Sequence, residues 1–331
     1  MRRFEVIIFL LIAVVIMSGC FCSQKEPKKP IKIGISVWPG YAHAFISQEK
    51  GFFKKNGVDV ELILKKEQYE SLELYRDGGC DGVFSVMPDI VRVNSEGIPT
   101  RVVYIVDYST TGDVIIANPK IDSLTDLKGK TISFEGVNSF SHIFVLESLE
   151  KAGIKEADVY FKLVPSHQVL AELEKGSIDA GHTWNPTKTE AIKKGYKIIA
   201  YAKEAPDIII DVLAFNDNII KQRPDEIKAI VKSLLEARDF IYSNKEEAIK
   251  IMGQAEGMSK EAMIDGLDGI IQPDLKANFL DMVGLSGKES RIARSMHFIS
   301  EFYIKRGQLS QVFTPAEIIA PEFIEELIKE K

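Results

Sequence analysis

A chain of 331 residues is long enough for two domains of ordinary size with a sizeable core. Its 45% hydrophobic and 27% charged residues are those of a folded globular protein and exclude a disordered or fibrous one. The formal charge of −6, without a basic tract, argues against a nucleic-acid partner; it leaves open the local field of a small-ligand pocket.

Arg2 and Arg3 precede twelve apolar residues, Val6 to Met17, and then Ser18-Gly19-Cys20. A basic start, a short apolar run and small residues before a cleavage point describe a secretory signal. Twelve residues at 1.5 Å rise cover only ~18 Å of a ~30 Å hydrocarbon core. Residues 1–19 are therefore expected to be removed, which takes Arg2, Arg3 and Glu5 with them and moves the charge from −6 to −7. The polar, proline-containing Ser23 to Pro30 has nothing to bury, so 20–30 reads as a flexible tether. Cys22 and Cys80 would be able to pair in an oxidising compartment, although an exposed tail thiol and a small buried residue is the simpler expectation. Three Cys without paired spacing supply no zinc site and no redox motif.

Beyond the tether, Ile31 to Val37 reads as a strand ending at Trp38-Pro39-Gly40-Tyr41, followed by a helix over Ala42 to Lys50 and a strand over Val58 to Leu64. A helix-like run, Ser71 to Arg76, stops at Gly78, the residue type that forms a left-handed cap. Asp81 then opens a short strand ending at Ser85, with Pro88 just beyond, where it cannot extend a ladder. Arg101 to Asp107 is a further strand, joined through Tyr108-Ser109-Thr110-Thr111-Gly112 to Asp113-Val114-Ile115-Ile116-Ala117.

The same order then returns. Thr131 to Phe134, Phe140 to Lys151 and Val159 to Val164 match the first strand, helix and strand. Val169 to Lys175, Gly176, Asp179, Thr183 and Pro186 match the next set, and Asp211-Val212-Leu213-Ala214-Phe215 lies 98 residues after Asp113 to Ala117. Two βαβαβ units in tandem follow from this self-similarity, with parallel strands covered by helices on both faces. Asp81 and Asp179 are assigned to turn or cap roles. In the second unit, Glu135-Gly136-Val137-Asn138-Ser139 opens the helix from Phe140, and unpaired N–H groups there suit an anionic or polar ligand group.

After Phe215 the pattern becomes helical. Pro224 to Ser243 carries Ile227, Ile230, Val231, Leu234, Leu235, Ala237 and Phe240 at helical spacing, with further helices at Lys245 to Met252, Lys260 to Gly266, Arg291 to Arg306 and Pro321 to Lys329. This tail is expected to complete the first lobe. The chain then crosses between lobes near 109–117 and 206–214, giving one lobe of 31–112 plus 213–331 and another of 113–212.

Glu49-Lys50-Gly51-Phe52-Phe53 followed by Gly57-Val58-Asp59-Val60 resembles a pattern of ABC-importer solute-binding proteins, in their nitrate/sulfonate/taurine and thiamine-pyrimidine-precursor branch. The two Gly-x-x-Asp-Ala/Gly segments, Leu124 to Lys130 and Gln272-Pro273-Asp274-Leu275 are similar to that branch too. The small residues before Cys20 resemble a lipobox, with Met17 where Leu is usual. The resemblance implies an α/β, type II periplasmic-binding-protein fold: two Rossmann-like lobes, two hinge crossovers and a helical tail packed on lobe 1. It implies a lipidated Cys20, a cell-membrane location facing the extracytoplasmic side, a monomer, permease and ATPase partners, and ligand capture by hinge closure without catalysis or cofactor. A taurine- or alkanesulfonate-like solute comes first, an aminopyrimidine thiamine precursor or nitrate next. An enzyme of thiamine-pyrimidine or menaquinone pathways on the same fold, or a bilobal sensor, is the alternative.

In such a fold the carboxyl ends of the strands face the cleft. That exposes Trp38, Tyr41, Ser85, Met87, Tyr108, Asp113, Asn138, Ser139, Thr183, Trp184, Asn185 and Asp211 as ligand-binding candidates. Asp113 and Asp211 would accept from an amine or aminopyrimidine, or else staple the hinge backbone. Of the five histidines, only His297 has an i,i+4 acidic neighbour, Glu301, which reads as a solvated helix-face contact; no metal site is expected.

Overall fold

The computed structural model describes residues 29–285 and 288–330. The expected signal segment, Cys20, Cys22 and the expected tether before Lys29 lie outside the described residues. From Ile31 onward the chain forms one compact unit. Among the described residues, no helix is long and apolar enough to cross a membrane.

Two sheets organise this unit. In the first, β1 (Ile31–Ser36), β2 (Val60–Lys65), β3 (Gly82–Val86), β4 (Thr100–Ser109), β10 (Ile210–Asn216) and β11 (Ile270–Ile271) lie in the order β11-β4-β10-β3-β1-β2. In the second, β5 (Val114–Ala117), β6 (Thr131–Phe134), β7 (Tyr160–Leu163), β8 (Ala180–Thr183) and β9 (Lys197–Tyr201) lie in the order β7-β6-β8-β5-β9. β4 is buried along nearly its whole length, as the apolar run Val102 to Val106 requires of a strand covered on both faces.

The sheets are mixed rather than all-parallel, and the reason lies in the repeat. β5 follows β4 in sequence but pairs antiparallel with β8 and β9, while β10 follows β9 but pairs antiparallel with β3 and β4. Each repeat donates its last strand to the other repeat's sheet. The register respects the duplication residue by residue: Val212 opposes Ser85 as Val114 opposes Thr183, and Phe215 opposes Gly82 as Ala117 opposes Ala180. β10 is paired within the first sheet from Ile210, ahead of the switch expected at 212/213.

Local signals explain the elements around the sheets. α1 (His43–Glu49) and α2 (Gln68–Arg76) cover the first sheet, and α4 (Phe140–Lys151) and α5 (Val169–Glu174) their duplicates; between the sets, α3 (Met87–Ser95) follows β3 directly. Gly78 and Gly176 cap α2 and α5 with φ of 72° and 69°, the left-handed geometry that glycine adopts at no steric cost. Asp81 and Asp179 do the turn work assigned to them. Each accepts from the first strand of its repeat, Lys32 N–H at 2.8 Å and Thr131 N–H at 2.9 Å, while its own N–H returns a 2.8 Å bond to that residue's carbonyl. Pro88 acts differently from the expected strand stop. It sits in the first turn of α3, where a missing N–H costs nothing, and Pro186 likewise precedes α6 (Thr187–Lys193).

The tail comprises α7 (Pro224–Ser243), α8 (Lys245–Glu256), α9 (Lys260–Asp268), α10 (Leu275–Val283), α11 (Arg291–Lys305) and α12 (Glu322–Lys329). α7 buries Ile227, Ile230, Val231, Leu234, Leu235 and Ala237 as its period predicts, with Ile241 in place of Phe240 on the buried stripe. Phe240 is instead half-buried against Phe52, under the ammonium of Lys50. Ala42, Ile46, Ala237, Ile241, Ala248, Ile249, Met252, Met258 and Met263 form a second small core joining α1 to the tail.

The tail also touches the second lobe. Asp265 of α9 accepts from Asn185 and pairs with Lys188, both at 2.7 Å. Arg306 makes a two-pronged pair with Glu156 at 2.9 and 3.0 Å, and the Tyr303 hydroxyl donates to the Asn138 carbonyl at 2.8 Å. His297 pairs with Glu289 rather than with Glu301, because Glu289 precedes the helix and folds back over its first turns.

If the duplicated turns carry equal loads, Asp81→Ala and Asp179→Ala should each lower unfolding stability by about 0.5–1.5 kcal/mol, the net worth of one such hydrogen bond. Urea midpoints of the two variants check this; wild-type midpoints in both would remove the turn role.

Candidate functional site

The exchange of antiparallel strands determines what reaches the cleft. Asp211, near the start of β10, stands opposite Val86 at the carboxyl end of β3; Asp113, just ahead of β5, takes the duplicate position beside the end of β8. The loop after β1 brings Trp38 and Tyr41 to the same place, and the residue after β8 brings Trp184. One small cavity results, lined by Ser36, Val37, Trp38, Tyr41, Gln68, Val86, Asp113, Phe140, Trp184, Ile209 and Asp211. Its volume is about 20 Å³, roughly the room of one water. The cleft is thus closed, and the Trp38 and Trp184 rings meet edge-on across it at 6.5 Å.

The polar groups are held tightly. Trp38 Nε1 donates to Asp107 Oδ2 at 3.1 Å, and the Tyr41 hydroxyl donates to Asp211 Oδ1. His182 Nε2 lies 3.0 Å from Asp113 Oδ1, and its Nδ1 lies 2.7 Å from Ser141 Oγ. Glu135 N–H donates to the same Ser141 Oγ at 3.2 Å. A carboxylate oxygen accepts, so Nε2–H donates to Asp113 and Nδ1 accepts from the Ser141 hydroxyl. Gln68 is locked between Ser36 Oγ at 2.7 Å and Ser85 Oγ at 2.9 Å, so its orientation is preset.

Asp107 and Asp211 face each other as register partners on β4 and β10. Burial raises the Asp107 carboxyl to about 7, against the opposing hydrogen bonds from Trp38 and Asp211. Burial, then the charge of Asp107, holds Asp211 well above the usual carboxylate range. Glu256 of α8, which accepts from Trp38 N–H at 3.1 Å, is pushed by burial to about 8. Among the described residues, no Lys or Arg lines the cavity.

Of the twelve expected ligand contacts, Trp38, Tyr41, Asp113, Trp184 and Asp211 line this cavity. Ser85 lies one layer behind, under Gln68. Met87 is in the core. Tyr108 points away into the tail, its hydroxyl donating to Asp281 at 2.7 Å and its ring lying under Arg291, because side chains alternate along β4 and Asp107 holds the cleft-facing position. Thr183 Oγ donates to the Ser166 carbonyl at 3.0 Å. Asn185 makes the link to Asp265 across the mouth of the cleft. Ser139 caps α4, accepting from His142 N–H, and lines a neighbouring cavity with Glu135, Arg76 and Arg92. Asn138 sits beside it with φ of 64°.

The hinge backbone is stapled by other groups. The N–H groups of Thr110, Thr111 and Gly112 converge on the Gly269 carbonyl at 2.9, 2.9 and 3.0 Å, and Asp113 N–H donates to Ser109 Oγ at 3.0 Å. The carboxylates of Asp113 and Asp211 bond side chains instead, which leaves them facing the cavity.

Gln68 and Phe140 also line the cavity, with Asp107 and His182 behind it, and none of the four was expected from the sequence. A carboxylate ending the apolar run Val102 to Val106 was the available signal for Asp107. His43 and His142 are structural: burial pushes both down to about 4, His43 Nδ1 bonds the Gly40 carbonyl at 2.7 Å, and His142 stacks on Phe134 at 4.1 Å. Cys80 is buried, and burial raises its thiol to about 11. Among the described residues, no group of three or more His, Cys, Asp or Glu is placed to hold a metal ion.

Two mixed sheets that exchange strands around one cleft define the two-lobed type II periplasmic-binding-protein fold. The periplasmic aliphatic sulphonate binding protein SsuA of Escherichia coli has the same fold, with a TM-score of 0.71 at 16% identity over 89% of this chain and 93% of that one. Residues 38–248 match the NMT1/THI5-like family, and the chain belongs to it. The formylaminopyrimidine-binding protein of Halalkalibacterium halodurans is 23% identical over 265 residues, 76% of this chain and 79% of that protein. The 4-amino-5-hydroxymethyl-2-methylpyrimidine phosphate synthase THI13 of Saccharomyces cerevisiae is 25% identical over 232 residues, 64% of this chain and 66% of the enzyme.

Gly40 is required by the packing of this site. A Cβ there would fall 1.8 Å from Asp107 Oδ2 and 2.5 Å from Trp38 Nε1. Gly40→Ala should therefore cost about 1–3 kcal/mol by overpacking. A thermal melt checks it, and an unchanged midpoint would contradict the close approach.

Proposed function

We propose that this chain is the extracytoplasmic solute-binding protein of an ABC importer, and that its solute is a flat, N–H-bearing heteroaromatic of the aminopyrimidine class. The observation that carries this reading is the pair of buried acceptors, Asp113 and Asp211, facing one cavity between two indoles with no cation in its lining. A planar ring with N–H donors would satisfy both carboxylates and stack on Trp38 and Trp184 once the lobes part. The formylaminopyrimidine-binding relative supports the same class.

This reverses the order expected from the sequence, where an alkanesulfonate came first. Taurine would offer its ammonium to the aspartates, yet its sulfonate, like nitrate, would enter an acidic cavity without a guanidinium or ammonium to receive it. Closure of the hinge buries the ligand and presents a closed face to a permease. Delivery to permease and ATPase subunits, a lipid on Cys20 and a place on the outer face of the cell membrane belong to this reading. An enzyme on the same fold is the competing one, favoured by the yeast synthase. Recovery of the bound pyrimidine unchanged by mass spectrometry would exclude it, and a converted product would establish it.

Titration calorimetry with 4-amino-2-methylpyrimidine, taurine and nitrate tests the ligand class. Heat is expected from the pyrimidine alone, and Asp113→Asn and Asp211→Asn should each weaken it by about 1.5–3 kcal/mol, the worth of a hydrogen bond to a charged group. Binding of taurine or nitrate with full affinity in both variants would overturn the assignment. For the anchor, intact mass of the membrane-extracted protein should show lipid that Cys20→Ser lacks; an unmodified wild-type Cys20 would remove the anchor.

A further inference from the structure

Asp107 stands behind the cavity, and its surroundings are arranged around a single missing hydrogen. It is the register partner of Asp211 on antiparallel strands, and both side chains are buried. One oxygen of each is used: Asp107 Oδ2 by Trp38 Nε1, Asp211 Oδ1 by the Tyr41 hydroxyl. The others, Asp107 Oδ1 and Asp211 Oδ2, are buried without a hydrogen-bond partner. Two ionised carboxylates directly opposite in a sheet repel each other, whereas one proton between them makes a charge-assisted hydrogen bond.

We propose that Asp107 and Asp211 hold one proton between these two oxygens as an acid–carboxylate pair, and that Asp107 is thereby the positioning residue that prepares the cleft for the amidine edge of an aminopyrimidine. The inference rests on the aminopyrimidine reading for its ligand, though not for the pair itself. An amidine edge carries an N–H donor, and Asp211, which lines the cavity, is the member of the pair that accepts it. The shared proton keeps the two carboxylates together and Asp211 in place, whereas a doubly ionised pair would push them apart and lose that position. Asp107 also fixes the Trp38 ring that walls the cavity.

The groups facing the pair are Tyr41 at the entry to α1, Asp113 at the crossing with His182 of β8 behind it, and Glu256 of α8 under the Trp38 backbone. Burial, the main cause, lifts Asp107 to about 7 from its ordinary 3.8. A carboxyl raised in the folded state contributes stability that is complete below its unfolded value and is lost as pH rises through the folded value. Glu256, raised to about 8, acts in the same direction. His43 and His142, lowered to about 4, act only below their ordinary 6.5. The window that isolates the carboxyls is therefore pH 6.5 to 8.5.

Asp107→Asn keeps an oxygen for Trp38 and gives Asp211 a permanent N–H donor, whereas Asp107→Ala removes both. Calorimetry of 4-amino-2-methylpyrimidine across this window should show the wild-type affinity falling relative to that of Asp107→Asn by about tenfold per pH unit above neutrality; the ligand's own titration is common to both and cancels. Asp107→Ala should lose at least about tenfold throughout, by leaving Trp38 and Asp211 unpartnered. A constant ratio of wild type to Asp107→Asn would overturn the proton pair. Melting temperatures over the same window separate this from failure of the ligand reading. The wild type should lose more stability than Asp107→Asn, and equal losses would refute the pair even if no pyrimidine bound.

Discussion

The structure depends on the reciprocal exchange of β5 and β10. A strand that runs antiparallel to its neighbours begins where they end, so the first residues of both donated strands arrive at the carboxyl edge of a sheet. The duplication placed an Asp at that point in each repeat. The exchange therefore does two things: it ties the two halves of the chain together by ladder hydrogen bonds, and it delivers one carboxylate from each crossing to a common cavity. A parallel arrangement of the same strands would have sent both Asp residues to the opposite edge.

Buried carboxylates are costly, and their neighbours show how this chain meets the cost. Tyr41, Trp38 and His182 each donate to one of them, and the pairing of Asp107 with Asp211 leaves one further donor position to be filled by a proton. A cavity of this kind selects by complementarity. A donor-bearing ring gains hydrogen bonds on entry, while an anion would add charge to a site that already holds three carboxyls. One relative is named for a pyrimidine ligand and another for a pyrimidine product, and a sulphonate-binding protein has the same fold, so the fold alone does not name the solute.

Much of this was legible in the chain. The offset of 98 residues predicted the elements, and the pairings repeat at the same offset, Val212 with Ser85 and Val114 with Thr183; that these crossing strands run antiparallel was not read from it. Helix Phe140–Lys151, marked by the repeat, and helix Pro224–Ser243, marked by its period, were readable to the residue. Helix Met87–Ser95 was not, because Pro88 ends a strand and starts a helix equally well. Strand Lys197–Tyr201 was not read either: its apolar run, Ile198 to Tyr201, is only four residues long and mostly half-buried. Of the residues expected at the strand ends, five line the cavity, whereas Asp107, which stands behind it, was not among those expected. Its importance comes from standing across from Asp211, and a cross-strand partner depends on which sheet receives the crossing strand. Tyr108 was misplaced for a related reason: a one-residue step along a strand changes the face.

The chain has two tryptophans, Trp38 and Trp184, and both line the cavity. Tryptophan emission, excited selectively over that of the ten tyrosines, is therefore a report on this site. The account predicts a saturable change in emission on titration with an aminopyrimidine, lost in Asp211→Asn, and none with taurine or nitrate. An aminopyrimidine bound by calorimetry with no change in tryptophan emission would contradict it, because the ligand would then lie outside the cleft that the exchanged strands build.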